Sequence, residues 1–172
     1  MILSLLLSVS AMALELPDMS AYELLEGEYS QTRVIKEVDA KLKSSGRFEV
    51  GPKVGITWAQ AKPFENSMTI RDRKIISNSG TARAADPISL EISSTILSVF
   101  KNDLDALSKN FVVEKSGKTG DWKLSLVPKA KQLKAMIKSI TVQGKKFVNA
   151  VSIDEASGGS IQIQFSKVKA AK

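Results

Sequence analysis

Trp122-Lys123-Leu124-Ser125-Leu126-Val127-Pro128 alternates apolar and polar side chains up to a proline, which is the period of a strand with one buried face and a firm end. Downstream the same rhythm continues through residues 135–143 (Ile137, Ile140, Val142), 146–153 (Phe147, Val151, Ile153) and 161–168 (Ile161, Ile163, Phe165, Val168). Gly144-Lys145 and Gly158-Gly159 separate these stretches, so hairpins are expected. Upstream, Phe111 to Glu114 predicts one more strand, followed by a turn-rich loop from Lys115 to Gly120.

The N-terminal half carries the same signals. Val54, Ile56 and Trp58 alternate with Gly55 and Thr57, which places the three apolar side chains on one face of a strand. Tyr29 to Ile35, Ser44 to Val50, Met68 with Ile70, and Ile75-Ile76 before Ser77-Asn78-Ser79-Gly80 extend the meander. Two segments break it. Ser20-Ala21-Tyr22-Glu23 forms a capping box, with Met19 and Leu24 as a staple and Gly27 as a stop, so a short helix is predicted over about 19–26. Asp86-Pro87 is a good N-cap and first helical residue, and Ile92, Ile96, Val99, Phe100, Leu104 and Leu107 then recur at three and four. This stripe predicts a helix to about residue 108 with a break at Asn102-Asp103, although Ile88, Leu90 and Ile92 also alternate as a strand would. Some eight strands without a helix between each pair give a mainly β fold: one antiparallel sheet that curls, covered by one or two helical segments.

A chain of 172 residues, 43% hydrophobic and 25% charged, suits one globular domain with a core of its own. There is no cysteine and no histidine, so thiol redox chemistry, Ser-His triads and His-based metal sites are excluded. The net charge of +7 comes from scattered Lys and Arg, and aromatic residues are only 6% of the chain, so a solvated basic surface is favoured over a nucleic-acid partner. Gly117-Lys118-Thr119 resembles the tail of a phosphate-binding loop, but position 112, where a glycine is required, holds Val112. Neither Glu23, Glu26 and Glu28 nor Asp103 and Asp105 form a distinctive acid–base or metal set.

Met1 to Ala13 is an uncharged apolar run ending in Ala11-Met12-Ala13, the small-x-small pattern of an export signal cut after Ala13. It is shorter than the roughly 20 apolar residues of a spanning helix, and the first residue of the expected mature product, residues 14–172, is Leu14 rather than an acylatable cysteine. The alternative is a first helix of the folded domain. The expected product is an exported monomer that does not span the membrane.

By default the stripe on 92–107 packs as core on the concave face of the sheet. If the sheet is only partly closed, the same stripe and the facing Ile56, Trp58, Ile70, Leu124 and Leu126 line a cavity, a usual place for an apolar ligand. A cleft of roughly several hundred Å3 distinguishes a carrier from an adaptor of ordinary packing density that binds protein partners by its edge or basic face. A His-free enzyme acting on a lipid or glycan through two carboxylates is the third alternative.

Several local patterns, in order, resemble the outer-membrane lipoprotein carrier family (LolA). They are the export signal, Tyr29-x-Gln31, Ser45-Gly46, Pro52 to Trp58 followed by Pro63-Phe64, Ile96-Leu97 through Leu104 to Phe111, Trp122-x-Leu124-x-Leu126-x-Pro128-Lys129, Ile140-x-Val142-x-Gly144 and Ile161-x-Ile163-x-Phe165. The resemblance spans about residues 18–168. It implies a half-closed antiparallel barrel with a helical lid, in which Leu97 and Ile140 join the residues above as an apolar lining. It further implies a periplasmic carrier without cofactor or bond chemistry, which shields the acyl chains of a lipoprotein, or of a lipid or glycolipid, between an inner-membrane release complex and an outer-membrane acceptor. In that family an arginine just before a proline helps to hold the lid shut; here Gly51 precedes Pro52, so the lock is not carried over.

Overall fold

The computed structural model describes residues 14–19, 21–72, 74–77, 82–84 and 87–171. The expected export segment, Ser20 of the expected capping box, Asn78 to Gly80 and the expected cap at Asp86 lie outside them.

Among the described residues, eleven strands form one antiparallel sheet: β1 (Leu25–Ile35), β2 (Ala40–Gly51), β3 (Gly55–Lys62), β4 (Asn66–Arg71), β5 (Lys74–Ser77), β6 (Ala82–Ala84), β7 (Phe111–Lys118), β8 (Asp121–Pro128), β9 (Ile137–Gly144), β10 (Val148–Glu155) and β11 (Ser160–Ala170). Their order across the sheet is β6-β5-β4-β3-β2-β1-β11-β10-β9-β8-β7. The fold is therefore two meanders fused along β1 and β11, where Tyr29 faces Phe165 and Arg33 faces Ile161. The outermost strands are β6 and β7, so the curled sheet is not closed. The chain crosses from one free edge to the other through α1 (Pro87–Phe100) and α2 (Leu104–Asn110), and a single helical turn, α3 (Lys131–Lys134), follows β8.

The predicted break in the helical segment is present. Asn102 adopts a left-handed φ of 52°, and Asp103 caps α2 by accepting the Ala106 N–H at 2.9 Å. Pro87 stands first in α1, which settles the 88–92 stretch as helical.

The short helix expected over about 19–26 does not form. Only one turn survives there, with the Tyr22 N–H donating to the Met19 carbonyl, and β1 begins at Leu25. Leu25 pairs with Val50 on one side and Ala170 on the other, and is 2% exposed. A capping box offers two local hydrogen bonds, whereas the strand gains two ladders and a buried leucine. Met19 is buried against the core and Tyr22 meets Phe147 edge-on, so this segment is used for packing. The expected loop over Lys115 to Gly120 is likewise shorter, because β7 continues to Lys118, paired with Asp121, and Gly117 (φ 95°) and Gly120 (φ 83°) supply the left-handed residues of the hairpin.

Candidate functional site

The concave face carries a continuous apolar cluster. Ile56, Leu124 and Leu126 have no exposed surface, and Ile140 has 1%. From the helices, Ile96, Phe100 and Leu107 join the same cluster, while Leu97 and Leu104 are half-buried against it. Most of the expected lining is thus occupied in packing. The half-buried Trp58 and Ile92, with the more deeply buried Ile70, line a cleft of about 160 Å3 between α1 and the sheet. Leu97 and Phe100 flank a second crevice with Met19, Tyr22, Leu25 and Val50, which has room for only about 10 Å3.

Four strands build the floor of the larger cleft, and their pairing makes it graded. At the apolar end lies Ile70, whose strand partner Ile56 is fully covered; next come the paired Trp58 and Met68; then the paired Gln60 and Asn66. On β1 the series runs Tyr29, Gln31, Arg33, with Gln31 opposite Ser44. The floor is apolar below and rich in amides and hydroxyls towards the rim. Ile161 and Ile163 of β11, with Ile88 and Ile92 of α1, make most of the remaining wall apolar, and the buried Ser93 of α1 is its polar member.

An aromatic group supports the boundary. Tyr29 meets Trp58 edge to face, Trp58 stacks beside Phe165 at 6.0 Å between centroids, and Phe165 meets Phe48 at 4.9 Å. Burial pushes the Tyr29 phenol above its ordinary value, partly offset by a hydrogen bond with Ser44. At the rim, Arg33 Nη2 donates to Glu155 Oε1 at 3.1 Å. Glu155 is 7% exposed, and Ser157 Oγ lies 3.5 Å from its second oxygen.

Neither Arg33 nor Gln31, which entered only through the Tyr29-x-Gln31 pattern, was expected in the lining, because an isolated polar residue in a strand reads as solvent-facing. Their signal was phase: they share parity with Tyr29, whose ring belongs inside. Gly51, where the lid lock of the resembling family is missing, is closely packed. A Cβ there would lie 2.3 Å from the Glu23 carbonyl oxygen, so the N-terminal segment fills the space a side chain would need. The lid is held chiefly by the apolar packing of Ile96, Val99 and Phe100.

Among the described residues no group of three or more Asp or Glu side chains is arranged for a metal. No helix among them is long and apolar enough to cross a membrane.

Solved structures similar to the chain include a LolA superfamily protein from Nitrosomonas europaea (7% identity, TM-score 0.48, covering 88% of this chain and 87% of that one). A DUF1329 family protein from Desulfovibrio piger has 10% identity and a TM-score of 0.36 over 88% of this chain and 87% of its own. An outer membrane lipoprotein-sorting protein domain from Vibrio parahaemolyticus has 7% identity and a TM-score of 0.35 over 85% and 84%. No curated protein matches the sequence. The family model of the outer membrane lipoprotein carrier protein LolA matches residues 20–172, and the chain belongs to that family.

Proposed function

We propose that residues 14–172, freed of the first thirteen, form a periplasmic carrier that shields the acyl chains of a lipoprotein or related lipid. It receives its cargo from an inner-membrane release complex, surrenders it to an outer-membrane acceptor, and makes or breaks no bond in it. The observation that carries this reading is the cleft between α1 and the floor of Trp58, Met68 and Ile70.

At about 160 Å3 the cleft is below the roughly 300 Å3 at which ligand pockets usually begin, and close to the size of a cavity that accepts one benzene. A full acyl chain therefore requires the lid to lift. Ile96, Val99, Phe100 and Leu107, buried at about 2 kcal/mol each, hold the empty lid down. A sixteen-carbon chain gains up to roughly 12 kcal/mol by leaving water, at about 0.8 kcal/mol per methylene. The two are of comparable size, so cargo displaces the lid and the lid in turn helps to expel cargo. On this reading the expected lining residues Ile56, Ile96, Leu97, Phe100, Leu104, Leu107, Leu124, Leu126 and Ile140 meet the chain only in the open state.

The adaptor alternative draws on the close packing of Ile56, Leu124, Leu126 and Ile140. Binding decides between the two. The purified mature protein is expected to take up a fluorescent fatty-acid probe, and a polar substitution at Leu97 or Phe100 is expected to impair transfer of an acylated cargo between vesicles. No uptake of the probe, with transfer untouched by those substitutions, removes the carrier reading.

A further inference from the structure

We propose that the cleft is built for an amphiphile with an anionic head, whose carboxylate or phosphate is held at the rim by Arg33 while its tail lies over Trp58 and Met68. This rests on the carrier reading and narrows it, since the acylated end of a lipoprotein is uncharged.

Three observations point the same way. The floor changes along its length, from Ile70 through Trp58 and Met68 to Gln60 and Asn66, with Ser44 beside Gln31. A cleft meant for hydrocarbon alone has no use for amides on its inner face, because each is desolvated when a tail covers it. Arg33 also lines this cleft, 41% exposed at its side chain, so its charge is accessible from the mouth. Finally, its hydrogen bonding is incomplete. The guanidinium has five N–H donors; Nη2 meets Glu155, and Nε is buried with no partner.

A purely structural ion pair tying the β10–β11 turn to β1 explains the contact with Glu155. It does not explain the unpartnered Nε or the polar rows beside it. Glu155 accepts from Arg33 through one oxygen at 3.1 Å, which leaves other guanidinium N–H groups to donate to a second anion. Gln31 and Asn66 add neutral donors suited to the ester or amide that commonly joins head and tail, while the Gln60 amide N–H already donates to the Phe64 carbonyl at 3.0 Å and leaves its oxygen as an acceptor.

The test compares twelve-carbon ligands by titration calorimetry: laurate, dodecyl phosphate and dodecanol. Both anions are expected to bind at least about tenfold more tightly than the alcohol, the usual worth of a charge-assisted hydrogen bond. That preference is expected to shrink as salt rises. Laurate against dodecyl phosphate identifies the head. Arg33→Gln is expected to abolish the preference, so that the two anions and dodecanol bind alike. Glu155→Gln, which removes the competing carboxylate, is expected to tighten anion binding, an effect that loss of a structural clamp does not produce. Equal binding of all three ligands by the wild-type protein overturns the proposal without touching the carrier reading, and the wild-type comparison stands even if a variant fails to fold. An Arg33→Gln effect equal on anion and alcohol also overturns it. Binding of none of the three removes the carrier reading itself.

Discussion

The rings of Tyr29 and Trp58 meet edge to face, with centroids 4.8 Å apart and planes crossing at 82°. Trp58 is only half-buried and lines the cleft, whereas Trp122, the second indole of the chain, is 1% exposed. An acyl chain over Trp58 expels water from its ring, so the emission of the protein is expected to shift to the blue on ligand addition. Trp58→Phe is expected to abolish the shift while leaving the Trp122 signal. A shift that survives in this variant places the ligand elsewhere.

Tyr29 also sets an alkaline limit. Burial raises its phenol above the ordinary 10.0 in the folded protein, so from about pH 10 the unfolded chain loses this proton first. Stability contributed by the neutral phenol is complete below that value and declines as pH rises towards the folded value. Tyr29→Phe, which has no proton to lose, is expected to flatten the fall in urea midpoint above pH 10. An unchanged slope shows that other groups govern it.

Thr95 lies on α1 with 2% exposure, and its Oγ1 is buried without a hydrogen-bond partner. Thr95→Val removes the unsatisfied hydroxyl at nearly constant shape. It is expected to stabilise the lid-closed protein by about 1 kcal/mol and, by the same energy, to weaken uptake of an acyl probe about fivefold. Urea denaturation and probe titration read the two effects. Greater stability with unchanged affinity means that α1 does not lift on binding.

Gly144 lies opposite Trp122, and a Cβ there would come within 2.2 Å of the Trp122 Cζ2 and 2.6 Å of the Phe147 carbonyl oxygen. The indole N–H is meanwhile fixed by a 2.8 Å bond to the Lys145 carbonyl. Gly144→Ala is expected to cost about 2–3 kcal/mol through overpacking. Combining it with Trp122→Phe is expected to recover part of that loss, because the two sites share one contact. Additive losses in denaturation refute the contact as the cause.

How far the sequence was legible depended on how local each signal was. Trp122, Leu124 and Leu126 announce their strand by parity, and all three are buried. Asn102-Asp103 marked the helix break because a left-handed residue and an N-cap are chemical features of two adjacent positions. The segment around Tyr22 misled for the same reason: its cap is local, but the ladders that draw Leu25 into β1 come from Val50 and Ala170. Nothing near Tyr29 tells that its neighbour is Phe165. The site divided likewise. The stripe of α1 was visible, but which apolar residues face open space depends on how far the sheet curls, and the rim at Arg33 emerges only when four strands are set side by side.

The fusion of the two meanders along β1 and β11 also fixes the order in which the protein can be completed. Each meander is made of hairpins between sequence neighbours and can form early, but the seam joins Leu25 to Ala170. Closing so long a loop is slow, and it waits for β11 to be synthesised. Until then β1 presents an unpaired edge in the middle of the future sheet, the kind of edge that recruits other chains. A chain cut short before Ser160 thus loses more than its final strand: it is left as two half-sheets with no common seam, and aggregation is the expected fate.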